Sequence, residues 1–282
     1  MMQFIQRKKI YYLLIILISL CVVFVANEYY ELKQPGIIVL LYHKIHKKTD
    51  GSNKYVLSLN KFKEQMSYLR ENNYTTIIPN EIKGLSNING KKIMLSFDDS
   101  TEDHFHEVYN ILKDNKQKGI FFVITKYINS QENLTEKQIR IMSQDHMEIG
   151  SHTYTHPCLQ EINKDEIYYQ LNKSKEQLEK IIGNKVISFA PPGGWFNDNA
   201  LSIAEDLGYK AFFTCEIGLN DLKKKPFIYK RIEVLGDMTL EDFKSLLNPP
   251  DIIFYKLEQT IKFILHDLIG DRNYKKLAEI LY

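Results

Sequence analysis

Lys92-Ile93-Met94-Leu95-Ser96-Phe97-Asp98-Asp99-Ser100 is an apolar run that stops abruptly at two adjacent carboxylates. Its alternating and β-branched residues read as a buried strand, which places the carboxylates where the strand leaves the sheet. Neighbouring side chains at such a point face different directions, so one Asp can bind a metal while the other works on a water molecule. Read alone, Asp-Asp-Ser is also ordinary turn and helix-capping chemistry ahead of the polar segment Thr101 to Glu107. Its meaning depends on what the rest of the chain brings to the same place.

Working outward, the pattern of an apolar strand followed by a polar or irregular motif recurs. Ile37 to Tyr42 is strand-like and ends in His43, Met147 to Gly150 runs into Ser151-His152, and Val186 to Phe189 runs into Ala190-Pro191-Pro192-Gly193. Helical stripes lie between: Phe62, Met66 and Leu69 behind a cap at Asn60, then Phe105 to Leu112, Glu136 to Met142, Lys164 to Ile182 ended by Gly183, and Asn199 to Leu207 ended by Gly208. Further strands are expected at Tyr74 to Ile78, Gly119 to Ile124, Tyr209 to Phe213 and Ile228 to Val234, with a last helix at Leu240 to Leu247. Alternation of this kind with short connections implies parallel strands covered by helices. The expected fold is a closed or nearly closed α/β barrel, (β/α), of about seven strands, over residues 37–248. In such barrels chemistry collects at the carboxyl ends of the strands, where all four motifs fall.

The termini are different material. Arg7, Lys8 and Lys9 precede Ile10 to Ala26, seventeen residues without a charge. That length is at the low edge of a bilayer span, and Phe24 is too large for a signal-cleavage site before Asn27. The expectation is a cytoplasmic basic stretch (1–9), an uncleaved transmembrane anchor (10–27), a stalk (28–36), and an extracytoplasmic domain on a single-pass membrane protein. After Pro249-Pro250, residues 249–282 read as a helical tail. Hydrophobic residues make up 44% and charged residues 26%, ordinary globular values. Setting aside Arg7, Lys8, Lys9 and Glu28 leaves 34 basic and 34 acidic residues, so nothing recommends a nucleic-acid partner. Cys158 and Cys215, the cysteines outside the apolar segment, are too few for a disulfide framework.

Ser151-His152-Thr153-Tyr154-Thr155-His156 sets two imidazoles four residues apart, a spacing at which both can turn toward one ion. With Asp99 they would form a set of two nitrogens and one oxygen that suits zinc and leaves positions for water and substrate. Two histidines and a carboxylate also serve non-haem iron oxygenases, although an all-β pattern would be expected there.

Ser96-Phe97-Asp98-Asp99-Ser100, Ser151 to His156 and Ala190-Pro191-Pro192-Gly193-Gly194 resemble the first three motifs of the polysaccharide deacetylase (NodB-homology) family. The opening Leu40-Leu41-Tyr42-His43-Lys44-Ile45 is more similar to its poly-N-acetylglucosamine deacetylase branch. The resemblance implies a distorted β/α barrel and metal-dependent removal of acetyl groups from an N-acetylated sugar polymer. Asp99, His152 and His156 would hold the metal, zinc first with cobalt, nickel or manganese as alternatives, and Asp98 would be the general base. His43 would be the general acid; His266, in Leu265-His266-Asp267, matches a late family motif but lies on a helical pattern. The Gly193 N–H would support the oxyanion, and Trp195 would be a sugar platform. Three positions depart from the family: Ala190 stands for an Arg that steadies the base, Gly193 for a Tyr, and Ser100 for a Gly. Arg231 is the candidate replacement cation, since alternation puts it on one strand face with Tyr229 and Glu233. The departures also motivate an alternative, a carbohydrate-binding protein that kept the fold without turnover.

Overall fold

From Gly36 the chain enters β1 (Ile38–Tyr42), β2 (Lys44–His46) and β3 (Val56–Ser58), then α1 (Leu59–Glu71), β4 (Thr75–Thr76) and β5 (Lys92–Phe97). A π-helical turn, His104–Tyr109, continues as α2 (Asn110–Asp114) and leads to β6 (Ile120–Val123), α3 (Glu136–Gln144) and β7 (Glu148–Ser151). Next come α4 (Lys164–Ile182), β8 (Ser188–Phe189), α5 (Asp198–Asp206), β9 (Ala211–Phe213), β10 (Ile228–Tyr229), β11 (Ile232–Glu233) and α6 (Leu240–Leu246). These elements come from a computed structural model that describes residues 36–47, 49, 51, 53–84, 90–222 and 227–257, with single positions 19, 23, 26, 27 and 30. Gly36–Lys244 forms one compact unit; Met1–Pro35 and Ser245–Tyr282 form another. The expected anchor, apart from those single positions, and the tail beyond 257 with His266 lie outside the described residues. Among the described residues, no helix is long and apolar enough to cross a membrane.

The strands run in the order β10-β9-β8-β7-β6-β5-β1-β11, with β4 added to β5, and every pairing is parallel. Only Lys230 and Arg231 separate β10 from β11, yet β10 pairs with β9 at one edge and β11 with β1 at the other. One extended segment thus reaches both edges of a parallel sheet curled into a half-barrel, an arrangement consistent with a (β/α) barrel. Asn220 fixes that segment: its side chain donates to the carbonyl of Lys230 (2.9 Å) and accepts from the Lys230 N–H (2.8 Å).

Strand alternation sorts the core into two layers. Val39, Met94, Ile120, Phe122, Ala211, Phe213 and Tyr229 form one buried cluster. On the opposite face Tyr42 stacks on Phe97 (5.3 Å) and Phe97 on Phe121 (4.9 Å), with Phe62 of α1 edge-on to Tyr42. Met94 and Ser96 therefore share a face, and two residues further along that face is Asp98. The expected elements form with shorter strands, and Ile228 to Val234 is two short strands rather than one. Ser58, not Asn60, caps α1, accepting from the Lys61 N–H at 3.3 Å. The Asp98-Asp99-Ser100 turn makes no helix cap; Asp99 (φ 76°) and Ser100 (φ 55°) are left-handed instead.

Glu148 begins β7, at the end opposite His152, and is buried. It accepts from the Ser188 hydroxyl and the Asn80 N–H. Burial dominates those hydrogen bonds and pushes its carboxyl from 4.5 up to about 7. Between about pH 4.5 and 7 the native protein keeps this proton while the unfolded chain releases it, so this group's contribution to stability falls as pH rises through that window. Glu148→Gln is expected to flatten the dependence, removing a difference of up to about 3 kcal/mol between pH 5 and pH 8. Denaturant midpoints at the two pH values check it; parallel curves for variant and parent would contradict it.

Candidate metal centre and catalytic cleft

Register puts the four strand-end motifs on one rim. Tyr42 of β1 pairs with Phe97 of β5, so His43 and Asp98 follow side by side, and the Asp98 N–H donates to the Tyr42 carbonyl at 2.9 Å. Ser151 of β7 pairs with Val123 of β6 and Phe189 of β8, so His152 and Ala190 leave the sheet together. Glu233 of β11 pairs with Leu41, two residues before His43.

Asp98 is buried and held at both carboxylate oxygens by Arg231, Nη1 to Oδ1 at 2.8 Å and Nη2 to Oδ2 at 3.0 Å. Arg231 is also buried; its Nε donates to the Thr214 carbonyl (2.9 Å), and its guanidinium lies 5.5 Å from the centre of the Phe122 ring. The fork is thus fixed by backbone on one side and carboxylate on the other, a bidentate geometry that Lys does not reproduce. Burial alone would raise the Asp98 pKa, but the charges of Arg231, His152 and His43 more than offset it, and the carboxyl stays below its ordinary value.

Asp99, His152 and His156 each bring one atom into a group within 4.8 Å of one another. Asp99 Oδ1 is 3.6 Å from His152 Nε2 and 3.4 Å from His156 Nε2. His152 Nδ1 lies 2.8 Å from the Ala190 carbonyl, which can only accept, so Nδ1 carries a proton and Nε2 is the ring nitrogen turned toward Asp99. Fixing one ring nitrogen by a backbone carbonyl is how a metal-ligating His is commonly oriented. His156 Nε2 is buried, with Asp99 Oδ1 as its polar neighbour. Two imidazole nitrogens and a carboxylate oxygen facing one point are a donor set that a divalent cation satisfies and that zinc suits. Burial would raise the Asp99 pKa, yet the hydrogen bond and charges of the surrounding histidines bring it far below the ordinary carboxylate range.

His43 is half-buried, with Nδ1 3.5 Å from Glu233 Oε1 and its ring 5.2 Å from Tyr55. Its carbonyl accepts from Nε2 of the buried His104 at 3.0 Å. Glu233 is raised by burial against the opposing charges of His43, Lys54 and Arg231. The left-handed turn tolerates Ser100 because the residue is put to use: its hydroxyl accepts from the Ile124 N–H (3.3 Å) and its carbonyl from the Leu134 N–H (3.0 Å). Gly193 (φ 60°) and Gly194 (φ 75°) are also left-handed, and a Cβ on Gly194 would come within 2.7 Å of Cys215. Trp195 folds over Gly193 and is 51% exposed. Cys158 and Cys215 are both free thiols. His104 and Thr214 carry no signature in the sequence, since they contribute a ring nitrogen on a neighbouring backbone and a bare carbonyl; Glu233 shows there only as a residue on the same face as Arg231.

A parallel α/β half-barrel carries, at its carboxyl rim, a two-His, one-Asp donor set that fits a divalent cation and a second, cation-held Asp beside it, an arrangement suited to hydrolysis. The Polysaccharide deacetylase family model matches residues 86–212. A deacetylase of Streptococcus pyogenes, solved in complex with acetate, is 31% identical, covers 76% of this chain and 99% of its own, and superposes with a TM-score of 0.71. A polysaccharide deacetylase structure from Bacillus cereus is 26% identical with a TM-score of 0.68, covering 76% of this chain and 69% of its own. The poly-beta-1,6-N-acetyl-D-glucosamine N-deacetylase of Staphylococcus aureus is 24% identical over 213 residues, 65% of this chain and 73% of that one. The chain belongs to the polysaccharide deacetylase family, and it is a hydrolase of the N-deacetylase class.

Removing one member of a buried ion pair strands the other, which costs about 3–5 kcal/mol. Arg231→Met is therefore expected to lower unfolding stability by about 3 kcal/mol, and Asp98→Leu in the same chain to recover part of the loss. Denaturant unfolding of the two variants checks this; an unchanged midpoint for Arg231→Met would contradict it.

Proposed function

We propose that the protein is a metal-dependent N-deacetylase, most simply a zinc enzyme, acting on an N-acetylhexosamine polymer at the outer face of the cell membrane. The observation that carries this reading is the convergence of Asp99, His152 and His156 on one point beside an Asp held by a guanidinium. A divalent ion held by that triad would lower the pKa of a water molecule in the cleft and polarise the acetyl carbonyl. The chain's own groups do the rest. Asp98, kept charged and immobile by Arg231, accepts the water proton as attack on the amide begins. The Gly193 N–H, in its left-handed turn, donates to the oxygen that becomes negative. His43, beside Glu233, gives a proton to the departing amine, since an amine anion is too basic to leave unprotonated. The exposed indole of Trp195 offers a flat apolar face for a sugar ring.

The substrate class draws on the relatives, whose names record N-acetylated glycans. The membrane location draws on the sequence, where Arg7-Lys8-Lys9 precede seventeen uncharged residues. Purified residues 30–282 supplied with zinc or cobalt are expected to release acetate from N-acetylglucosamine oligomers; no release from any amino-sugar polymer would overturn the proposal. Replacing Asp99, His152 or His156 by Ala should remove bound metal and activity together, whereas Asp98→Asn should keep the metal and lose turnover. His43→Ala should lower turnover about a hundredfold at normal metal content, with His266→Ala nearly silent. The reverse result in that last pair would reassign the acid.

A further inference from the structure

A concavity of about 450 Å³ adjoins the metal-ligand loop, with Tyr154 in its lining. Lys126, Glu136, Arg140, Tyr154, Gln177 and Lys180 are among the residues that line it. Tyr154 lies between the two ligand histidines, and the pocket floor is tied to their loop by hydrogen bonds from the Thr125 N–H to the Thr153 carbonyl (3.3 Å) and from the Lys126 N–H to the Tyr154 carbonyl (2.9 Å). The pocket is therefore built on the same loop that positions the metal ligands.

Its charge is net positive. Lys126, Arg140 and Lys180 face a single carboxylate, Glu136. Among the described residues, Arg140 and Lys180 have no ion-pair partner; Lys126 is engaged by the ring of Tyr154, 5.7 Å from its Nζ. On the same helix as Lys180, Lys175 is neutralised by Glu179 at 3.0 Å. Gln177 adds a second, different requirement, because its amide oxygen is buried without a hydrogen-bond partner and so seeks a donor. Unneutralised cations, an unsatisfied acceptor and a half-buried aromatic face together describe a sugar that carries an anionic group. The hydroxyl would serve Gln177, the ring Tyr154, and the phosphate or carboxylate Arg140 with Lys180.

We propose that this pocket binds an acidic sugar unit of the polymer, carrying a phosphate or carboxylate group, and so selects anionic glycans for the neighbouring cleft; this deepens the deacetylase reading and takes the polymer substrate from it. Substrate selection of this kind acts through binding of a part of the polymer that does not react.

The test compares three oligomers of N-acetylglucosamine of equal length: neutral, partly phosphorylated and partly carboxymethylated. Binding is measured by tryptophan fluorescence or calorimetry and acetate release separately, on the metal-loaded full chain and on the double variant Arg140→Glu with Lys180→Glu. The parent is expected to bind at least one anionic oligomer about tenfold or more tightly than the neutral one, with the preference shrinking in about 0.5 M salt. The double variant should lose that preference while its binding and turnover of the neutral oligomer stay unchanged. Which anionic oligomer is preferred identifies the group. Equal binding of all three by the parent, or a preference that survives in the double variant, overturns the proposal. If no oligomer releases acetate, the deacetylase reading fails, while the binding comparison still decides the pocket.

Discussion

The buried pairing of Arg231 with Asp98 is the constraint on which the rest of the site depends. Arg231 sits on the two-residue link between β10 and β11, the segment that pairs with one edge of the sheet and then with the other. Its guanidinium crosses the barrel interior to reach the end of β5. The same contact therefore ties the segment joining β10 and β11 to β5 and fixes the carboxylate that faces the ligand cluster. A charge at this depth is tolerable only because the fork is satisfied at Nε by Thr214 and at both Nη atoms by Asp98.

That pairing has a chemical consequence. A carboxylate held below its ordinary pKa is charged at every working pH, but it is also a weak base. It can take a proton only from a water already made acidic, which is what a cation beside it would supply. The Arg-held Asp and the nitrogen–oxygen ligand set thus need each other, and their adjacency in the Asp98-Asp99 dipeptide is the reason one strand end can serve both. The turn that makes the two side chains diverge requires left-handed backbone at Asp99 and Ser100, a strain of about 1–3 kcal/mol per residue that the Ser100 hydrogen bonds help to hold.

Much of this was legible in the residues. Apolar runs that end in polar motifs located β1, β5, β7 and β8, and in-register parallel pairing is what turns four strand ends into one rim. Strand alternation alone set Arg231 on one face with Tyr229 and Glu233, and the loss of an Arg at position 190 gave the reason to look for it. Ala190 instead packs in the apolar cluster and lends its carbonyl to His152. What stayed hidden are features without a residue signature. Backbone carbonyls such as those of Thr214 and His43 act through position, the left-handed Ser100 violates the usual glycine preference, and the burial of Glu148 depends on packing around the far pole of the barrel. The Ser58 cap was missed because two residues with capping chemistry, Ser58 and Asn60, stand close together and propensity does not choose between them.

The most direct test is a metal titration of the purified, metal-stripped protein in which acetate release and bound metal are followed in the same sample. Deacetylation should rise linearly with added zinc and level off at one equivalent per chain, and the Asp99→Ala variant should show neither binding nor release. Release at full rate by the stripped protein, or one tightly bound equivalent in the Asp99→Ala variant, would contradict the account.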